Sequence, residues 1–281
     1  MPLVYPNIVP KNNLRLPDAL TIKHGPARLL SRFILEGDKA ARCKGIEVRL
    51  RHDFDELVFL NKQQTALGNW YPLVDMVHPN RTELTPENGF WVSAENRTGE
   101  IVATWGARVF DWTETNLAEQ ARTMWYGRDL GQPCIVTAEA AARISGFAIC
   151  GAASWVRPDY RGLHLSRLIP RLGKAYACAR WPLDWSFCYV TRGQVEKGLA
   201  ASYGQRNLSY SIEYSGSALG ELVLAYSSID EVYEDFARFM LAELVGIEAG
   251  ESHSNSVETS LEHNVTNISS EGVFQGSISL S

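Results

Sequence analysis

No stretch of this 281-residue chain approaches the ~18 continuous apolar residues of a membrane span, and Met1-Pro2-Leu3-Val4-Tyr5-Pro6 lacks the basic segment and apolar run of an export signal. These absences predict a soluble cytoplasmic protein that does not engage a membrane. Cysteine is sparse. Cys43, Cys134, Cys150, Cys178 and Cys188 are odd in number, unclustered and mostly set among apolar residues, which argues for reduced core thiols and against a disulfide framework. No CxxC or His/Cys pairing is present to hold a metal, so none is expected. Basic charge is not in excess either. The formal net charge is −5, and the four acids after Gly250 account for most of it, leaving a near-neutral body with no electrostatic case for nucleic-acid binding. No repeat recurs at a fixed spacing. Without an export signal, the five Asn-x-Ser/Thr triplets read as chance matches.

Hydrophobic residues make up 45% of the chain, enough for a sizeable core in one domain of roughly 200 residues with extensions. Prolines at 2, 6, 10, 17 and 26 predict an extended arm, and Ala27 to Ala41 carries Leu29, Leu30, Phe33 and Ile34 at helical spacing, giving an arm-plus-helix unit over 1–44. Ile46 to Leu50 alternates as a strand. Asp53 then caps a helix burying Leu57, Val58, Leu60 and Leu67. Phe90 to Ala94 and Glu100 to Asp111 flank the turn-forming Asn96-Arg97-Thr98-Gly99, which predicts an antiparallel hairpin. A doubly wound nucleotide-binding domain would alternate strand and helix instead. Residues 113–148 read as an insertion with helix-favouring stretches at 117–124 and 138–144.

Phe147 to Val156 predicts another strand, and Leu165, Leu168, Ile169, Leu172, Tyr176 and Ala179 the buried side of the next helix, which contains Pro170. Arg167, Arg171 and Lys174 fall on a different face, expected to be solvated. Trp185 to Thr191 reads as a strand, Gln194 to Tyr203 as a short helix, and 210–214 with 222–226 as a closing strand pair. These complete a domain over 45–228. Asp230 to Leu244 is an amphipathic helix within a 229–249 segment packed on that domain. The Ser/Asn-rich stretch 250–281 is expected to be disordered.

The most informative run is Trp155-Val156-Arg157-Pro158-Asp159-Tyr160-Arg161-Gly162-Leu163-His164-Leu165-Ser166. Here an apolar strand turns into a helix through a Pro-Asp, Arg-Gly loop, a junction whose free amides and helix dipole suit an anion. The run resembles the acetyl-CoA-binding motif of the GCN5-related N-acetyltransferases (GNAT), in which Val-x-Pro-x-Tyr-Arg-Gly closes a strand and opens the cofactor helix. It departs from the family's Arg/Gln-x-x-Gly-x-Gly/Ala pattern at His164 and Ser166. The resemblance spans roughly Ile46 to Tyr226. It implies an α/β (α+β) fold with a mixed, largely antiparallel central sheet flanked by helices, and acetyl-CoA as acyl donor.

The same resemblance implies that the backbone at Ser154, Trp155 and Val156 pairs with pantetheine. Arg161 would then meet the pyrophosphate while the amides of Gly162, Leu163, His164, Leu165 and Ser166 cradle it. The Trp155 side chain reads as a core aromatic. A second, weaker likeness, Leu199-Ala200-Ala201-Ser202-Tyr203-Gly204, places Tyr203 where the family has a tyrosine that protonates the departing thiolate. Asp111 and Glu114 are candidates for the base, and surface acids are the simpler reading of both. The implied activity is N-acetyl transfer to an amine-bearing acceptor, in a chain that could also pair as a homodimer. A catalytically degenerate CoA-binding or interaction module, and an acyl-homoserine-lactone synthase-like enzyme, remain as alternatives.

Overall fold

The computed structural model describes residues 13–127, 133–215 and 220–245. Helix α1 (Ala27–Cys43) follows a short strand β1 (Leu14–Arg15), and β2 (Glu47–Arg51) leads into α2 (Phe54–Ala66). The hairpin β3 (Gly89–Glu95) and β4 (Ile101–Asn116) precedes α3 (Leu117–Tyr126), β5 (Cys134–Val136) and the long strand β6 (Ser145–Val156). Helix α4 (Leu165–Arg180), β7 (Trp185–Thr191), α5 (Arg192–Glu196) and α6 (Leu199–Ser202) come next. Strands β8 (Asn207–Tyr214) and β9 (Glu221–Ser228) with α7 (Ile229–Phe239) end the regular structure, before a π-helical turn at Met240–Val245.

Local chemistry sets these boundaries. The Asp53 carboxylate accepts from the amides of Asp55 and Glu56 and starts α2. Reciprocal capping boxes open α5 (Thr191 with Gln194) and α7 (Ser228 with Glu231). The β3–β4 turn forms because Asn96 Oδ1 accepts from the amides of Thr98 and Glu100, while Gly99 supplies φ +80°. Leu67 lies one residue past α2 and is two-thirds exposed, so it takes no part in the buried side expected of it. The helix expected over 194–203 breaks in two at Gly198, whose φ is +73°. Strands β1 and β5 went unpredicted because two or three residues carry no readable period. Residues 1–12 and 246–281 lie outside the described residues, and with them most of the arm and all of the tail.

The nine strands of the described residues join one sheet in the order β1-β2-β3-β4-β6-β7-β9-β8-β5, antiparallel throughout except for β6 against β7. Helices α1, α4 and α7 cover one face, burying Phe33, Trp105, Leu172 and Phe236 among others. Helices α2 and α3 cover the other around Trp91, Trp112, Trp125 and Phe187. The fold is therefore mixed α/β with a largely antiparallel sheet between two helical layers. No described helix is long and apolar enough to cross a membrane.

One irregularity governs the rest. Thr104 faces Trp155 and Gly106 faces Ala152, so β6 holds one more residue than β4 over that interval, and Ala153 carries the excess at φ +49°. Such a bulge bends its strand and increases the local twist. Accordingly β6 pairs with β7 only from Ala148 to Gly151, opposite Trp185 to Cys188. Beyond Gly151 the two strands have no ladder between them.

Candidate active site

The gap left by the diverging strands is lined by a cavity of about 440 Å³. Its wall includes Gly151 to Ser154 of β6 and Cys188 to Thr191 of β7. Side chains on β7 alternate, with Cys188 and Val190 packing toward Ala200 and Tyr189 toward Trp125 and Phe187. Because both sets line the cavity, it runs through the plane of the sheet. On the α4 side it meets Trp105, Pro170, Lys174, Leu199 and Tyr203; on the α2–α3 side it meets Trp70, Leu73, Met76 and Trp125.

The β6 edge facing the gap has free backbone groups. Arg157 N–H donates to Val102 O across the β4 side at 2.8 Å, so the two-residue period turns the amide and carbonyl of Val156 toward the open side. Ser154 and Tyr203 both line the cavity. Trp155 points elsewhere. It is buried, stacks on Trp70 with ring centroids 5.3 Å apart, and donates its indole N–H to Asn69 O. Its side chain thus steadies the segment that walls the far chamber, while its backbone, opposite Thr104, faces β4 and not the gap.

Tyr203 is placed by two cations of α4. Lys174 Nζ donates to Tyr203 O at 2.7 Å, and Arg171 donates to the carbonyls of Ser202 (2.5 Å) and Ala201 (3.4 Å). Arg171 is anchored by Asp235 of α7 at 2.7 Å and lies over the Phe239 ring. Gly204 makes this possible, with φ +75° and no room for a Cβ beside the Asp235 carboxylate. The expected solvated face of α4 is therefore wrong for two of its three cations: Arg171 is 4% exposed and Lys174 2%. Single-sequence periodicity cannot distinguish a cation at a solvated position from one that caps buried carbonyls on another element.

Burial pushes the Tyr203 hydroxyl up to about 12, with the Ser154 side chain pulling the other way. It remains a donor at any working pH. Burial, then the Arg171 charge, drops Lys174 to about 8. Cys188 rises to about 11, chiefly by burial, which rules out a nucleophilic thiolate near neutrality.

The loop ahead of α4 differs in detail from expectation. Pro158–Leu163 is a 3-10 turn and the helix proper opens at Leu165, so Gly162 and Leu163 lie within the turn. Leu163 O instead accepts from Lys44 Nζ at 3.0 Å, which ties the loop to the end of α1. His164 adopts φ +57°, ψ +25°, the left-handed conformation that favours glycine, and its residue is exposed. Its carbonyl takes the amides of both Arg167 and Leu168, whereas Leu165 and Ser166 N–H have no backbone acceptor among the described residues. Arg161 is exposed, with neither a hydrogen bond nor an ion pair among them. Arg157 next to it is spent on Glu100 and Asp159. At 1.5 Å per residue, Pro170 and Lys174 sit roughly 8 and 14 Å along α4 from its start, so one helix joins this loop to the cavity wall.

Asp111 and Glu114 are not part of this site. Asp111 pairs with Phe147 at the opposite end of β6 and is exposed, its carboxyl lowered by the Thr113 hydrogen bonds, and neither residue lines the cavity. Several lining residues drew no attention in the sequence. Asn61, buried on α2, donates to Tyr71 O and accepts from Leu73 N, pinning the chamber wall. The run Gly68-Asn69-Trp70-Tyr71-Pro72 offered one available signal, two large aromatics in a segment of turn residues. Trp105 fits between Gly151 and Gly173, where a Cβ at either position would strike its ring.

Many solved structures similar to this chain are GNAT acetyltransferases. The Arabidopsis thaliana protein NAA60, solved with a bisubstrate analogue, shares 10% identity over 65% of this chain and 97% of its own, with a TM-score of 0.42. A GNAT-family acetyltransferase of Streptococcus pneumoniae shares 13% over 65% and 100%, with a TM-score of 0.37. A proposed acetyltransferase of Acinetobacter baylyi ADP1 shares 14% over 50% of this chain, at a TM-score of 0.32, and the match spans 64% of that protein's length. No family model matches the sequence, and no curated protein matches it.

Proposed function

We propose that this protein transfers an acyl group, in the first instance acetyl, from acyl-CoA to an amine. The observation that carries this reading is the β6 edge left open beyond Gly151, where Val156 turns its amide and carbonyl to the gap, with Ser154 and the hydroxyl donor Tyr203 together on the cavity wall. An extended amide chain adds to such an edge as another strand would. Leu165 and Ser166 N–H, together with the unpaired guanidinium of Arg161, suit a pyrophosphate at the head of α4. Pantetheine then descends along Pro170 into the gap. The amine approaches through the chamber on the opposite face of the sheet.

In the transfer, the amine lone pair attacks the thioester carbon and the tetrahedral oxyanion meets β6 amides. The C–S bond then breaks, the thiolate leaves toward Tyr203, and the nitrogen sheds its extra proton to water. A hydroxyl near 12 lies well above a thiol near ~8.5. Tyr203 therefore stabilises the forming thiolate chiefly as a hydrogen-bond donor, and water completes protonation of the sulfur. Incubation with radiolabelled acetyl-CoA and a panel of amines tests the reading, which expects label in the amine. Label lost only by slow hydrolysis counts against it.

A second reading, a CoA-binding module without catalysis, has one observation in its favour: among the described residues no carboxylate lines the cavity to deprotonate an ammonium. Calorimetric titration of CoA, with transfer absent for every amine tried, is its signature. In either case Arg161→Ala should weaken CoA binding by about 1–3 kcal/mol.

A further inference from the structure

The chamber on the α2–α3 side of the sheet is walled by Trp70, Leu73, Met76, Trp125, Tyr189 and Leu222. Among the described residues no Asp or Glu lines the cavity, and its charged members are Lys174 and Lys197. An alkylammonium entering this space would lose its hydration with no counter-ion to replace it, and it would face a buried ammonium across the gap. Uncompensated burial of a charge costs several kcal/mol.

The aromatic rings do not make up the deficit. Trp125 has one face against Tyr214 (centroids 4.2 Å apart, 9° between planes), and Trp70 has one face against Trp155. Trp125 also meets Tyr189 edge-on at 5.6 Å, so at most one face of Trp125 and of Trp70 is left for a ligand, an arrangement suited to stacking more than to a cage closed around a cation. An amine that arrives neutral avoids this cost and also needs no base.

Resting on the acyl-transfer reading, we infer that the acceptor is a neutral aromatic amine, whose ring stacks in this chamber and whose –NH2 group points to the β6–β7 gap. Its nitrogen bonds to the acyl carbon as the C–S bond breaks, and the proton shed by the new amide nitrogen passes to water. A wall without a carboxylate among its described residues is then a feature of specificity and not a sign of lost catalysis.

The test compares 4-ethylaniline with its isomer 4-methylbenzylamine, neutral and protonated respectively at pH 7, and with spermidine. Binding to the full chain saturated with CoA is followed by tryptophan fluorescence. The inference expects 4-ethylaniline to bind about tenfold or more tightly than either cation, the equivalent of about 1.4 kcal/mol. Leu73→Glu, at a half-buried wall position, should narrow or reverse that preference, while Leu73→Gln should keep it. Equal or tighter binding of either cation to the unaltered protein overturns the inference, as does binding of none of the three.

A parallel assay with acetyl-CoA separates the two claims. Aryl preference in binding with no transfer to any amine removes the acyl-transfer reading and leaves the chamber's selectivity standing. Transfer that favours spermidine keeps acyl transfer and removes the neutral-amine acceptor.

Discussion

At the scale of single residues, Tyr203 and His164 make opposite demands. The Tyr203 hydroxyl is the only part of that residue assigned to chemistry, since its backbone is held by Lys174 and its ring packs beside the cluster formed by Val190 and Ala200. Tyr203→Phe should leave CoA affinity nearly intact and lower turnover by about 10²-fold, measured with a working acceptor under chemistry-limited conditions. Unchanged turnover would make the hydroxyl a packing feature. His164 instead holds a left-handed backbone that costs a non-glycine residue about 1 kcal/mol. His164→Gly should therefore raise the melting temperature by a few degrees, offset in part by the added freedom of the unfolded chain. CoA affinity should be preserved, because the position offers backbone and its ring lies outward. A marked loss of affinity would show that the imidazole itself contacts the ligand.

At the scale of elements, α4 joins the motif loop to the cavity wall. Its Arg171 and Lys174 grip three successive carbonyls at the end of α6, and Asp235 of α7 completes the clamp. Lys174 titrates near 8 in the folded chain, against an ordinary value of about 10.5. Between those values the unfolded chain binds the proton more fully, so this group's contribution to stability rises with pH from about 8 to about 10.5. Below pH 8 it opposes folding by about 3 kcal/mol, less what its hydrogen bond to Tyr203 O returns. The difference in unfolding free energy between wild type and Lys174→Met, measured by urea at pH 7 and again near pH 10, should shift in favour of wild type at the higher pH. A pH-independent difference would contradict the assigned shift.

None of this was legible in the sequence. Helical spacing marked Leu168, Leu172 and Tyr176 as buried, and they are, because an apolar stripe declares itself by its own period. Arg171 and Lys174 are buried for the sake of carbonyls about thirty residues away, and periodicity along α4 holds no record of those partners. By contrast Asp53, the Asn96–Gly99 turn and the strands around them depend on contacts within a few residues, and their sequence reading survives in the structure.

At the scale of the whole molecule, the decisive feature is that a nine-stranded sheet opens between the only parallel pair among the described residues. The hairpin, the motif strand and the following helix could be ordered from local patterns, and that order already pointed to a largely antiparallel sheet. The opening itself could not be read, because it arises from one extra residue, Ala153, whose type carries no bulge signal and whose effect appears only in register with β4. The aromatic chamber was hidden for a related reason: Trp70, Trp125 and Tyr189 come from three separate elements and meet only after the sheet has formed.

The central claim is that CoA lies along the open β6 edge with its pyrophosphate at the head of α4. Residue-resolved amide hydrogen exchange, with and without saturating CoA, addresses it directly. Added protection is expected at Val156 on the strand edge and at Leu165 and Ser166 in the loop, with little change at β6 residues 148–150, which are already paired with β7. CoA binding that leaves Val156, Leu165 and Ser166 exchanging as freely as before would contradict the account.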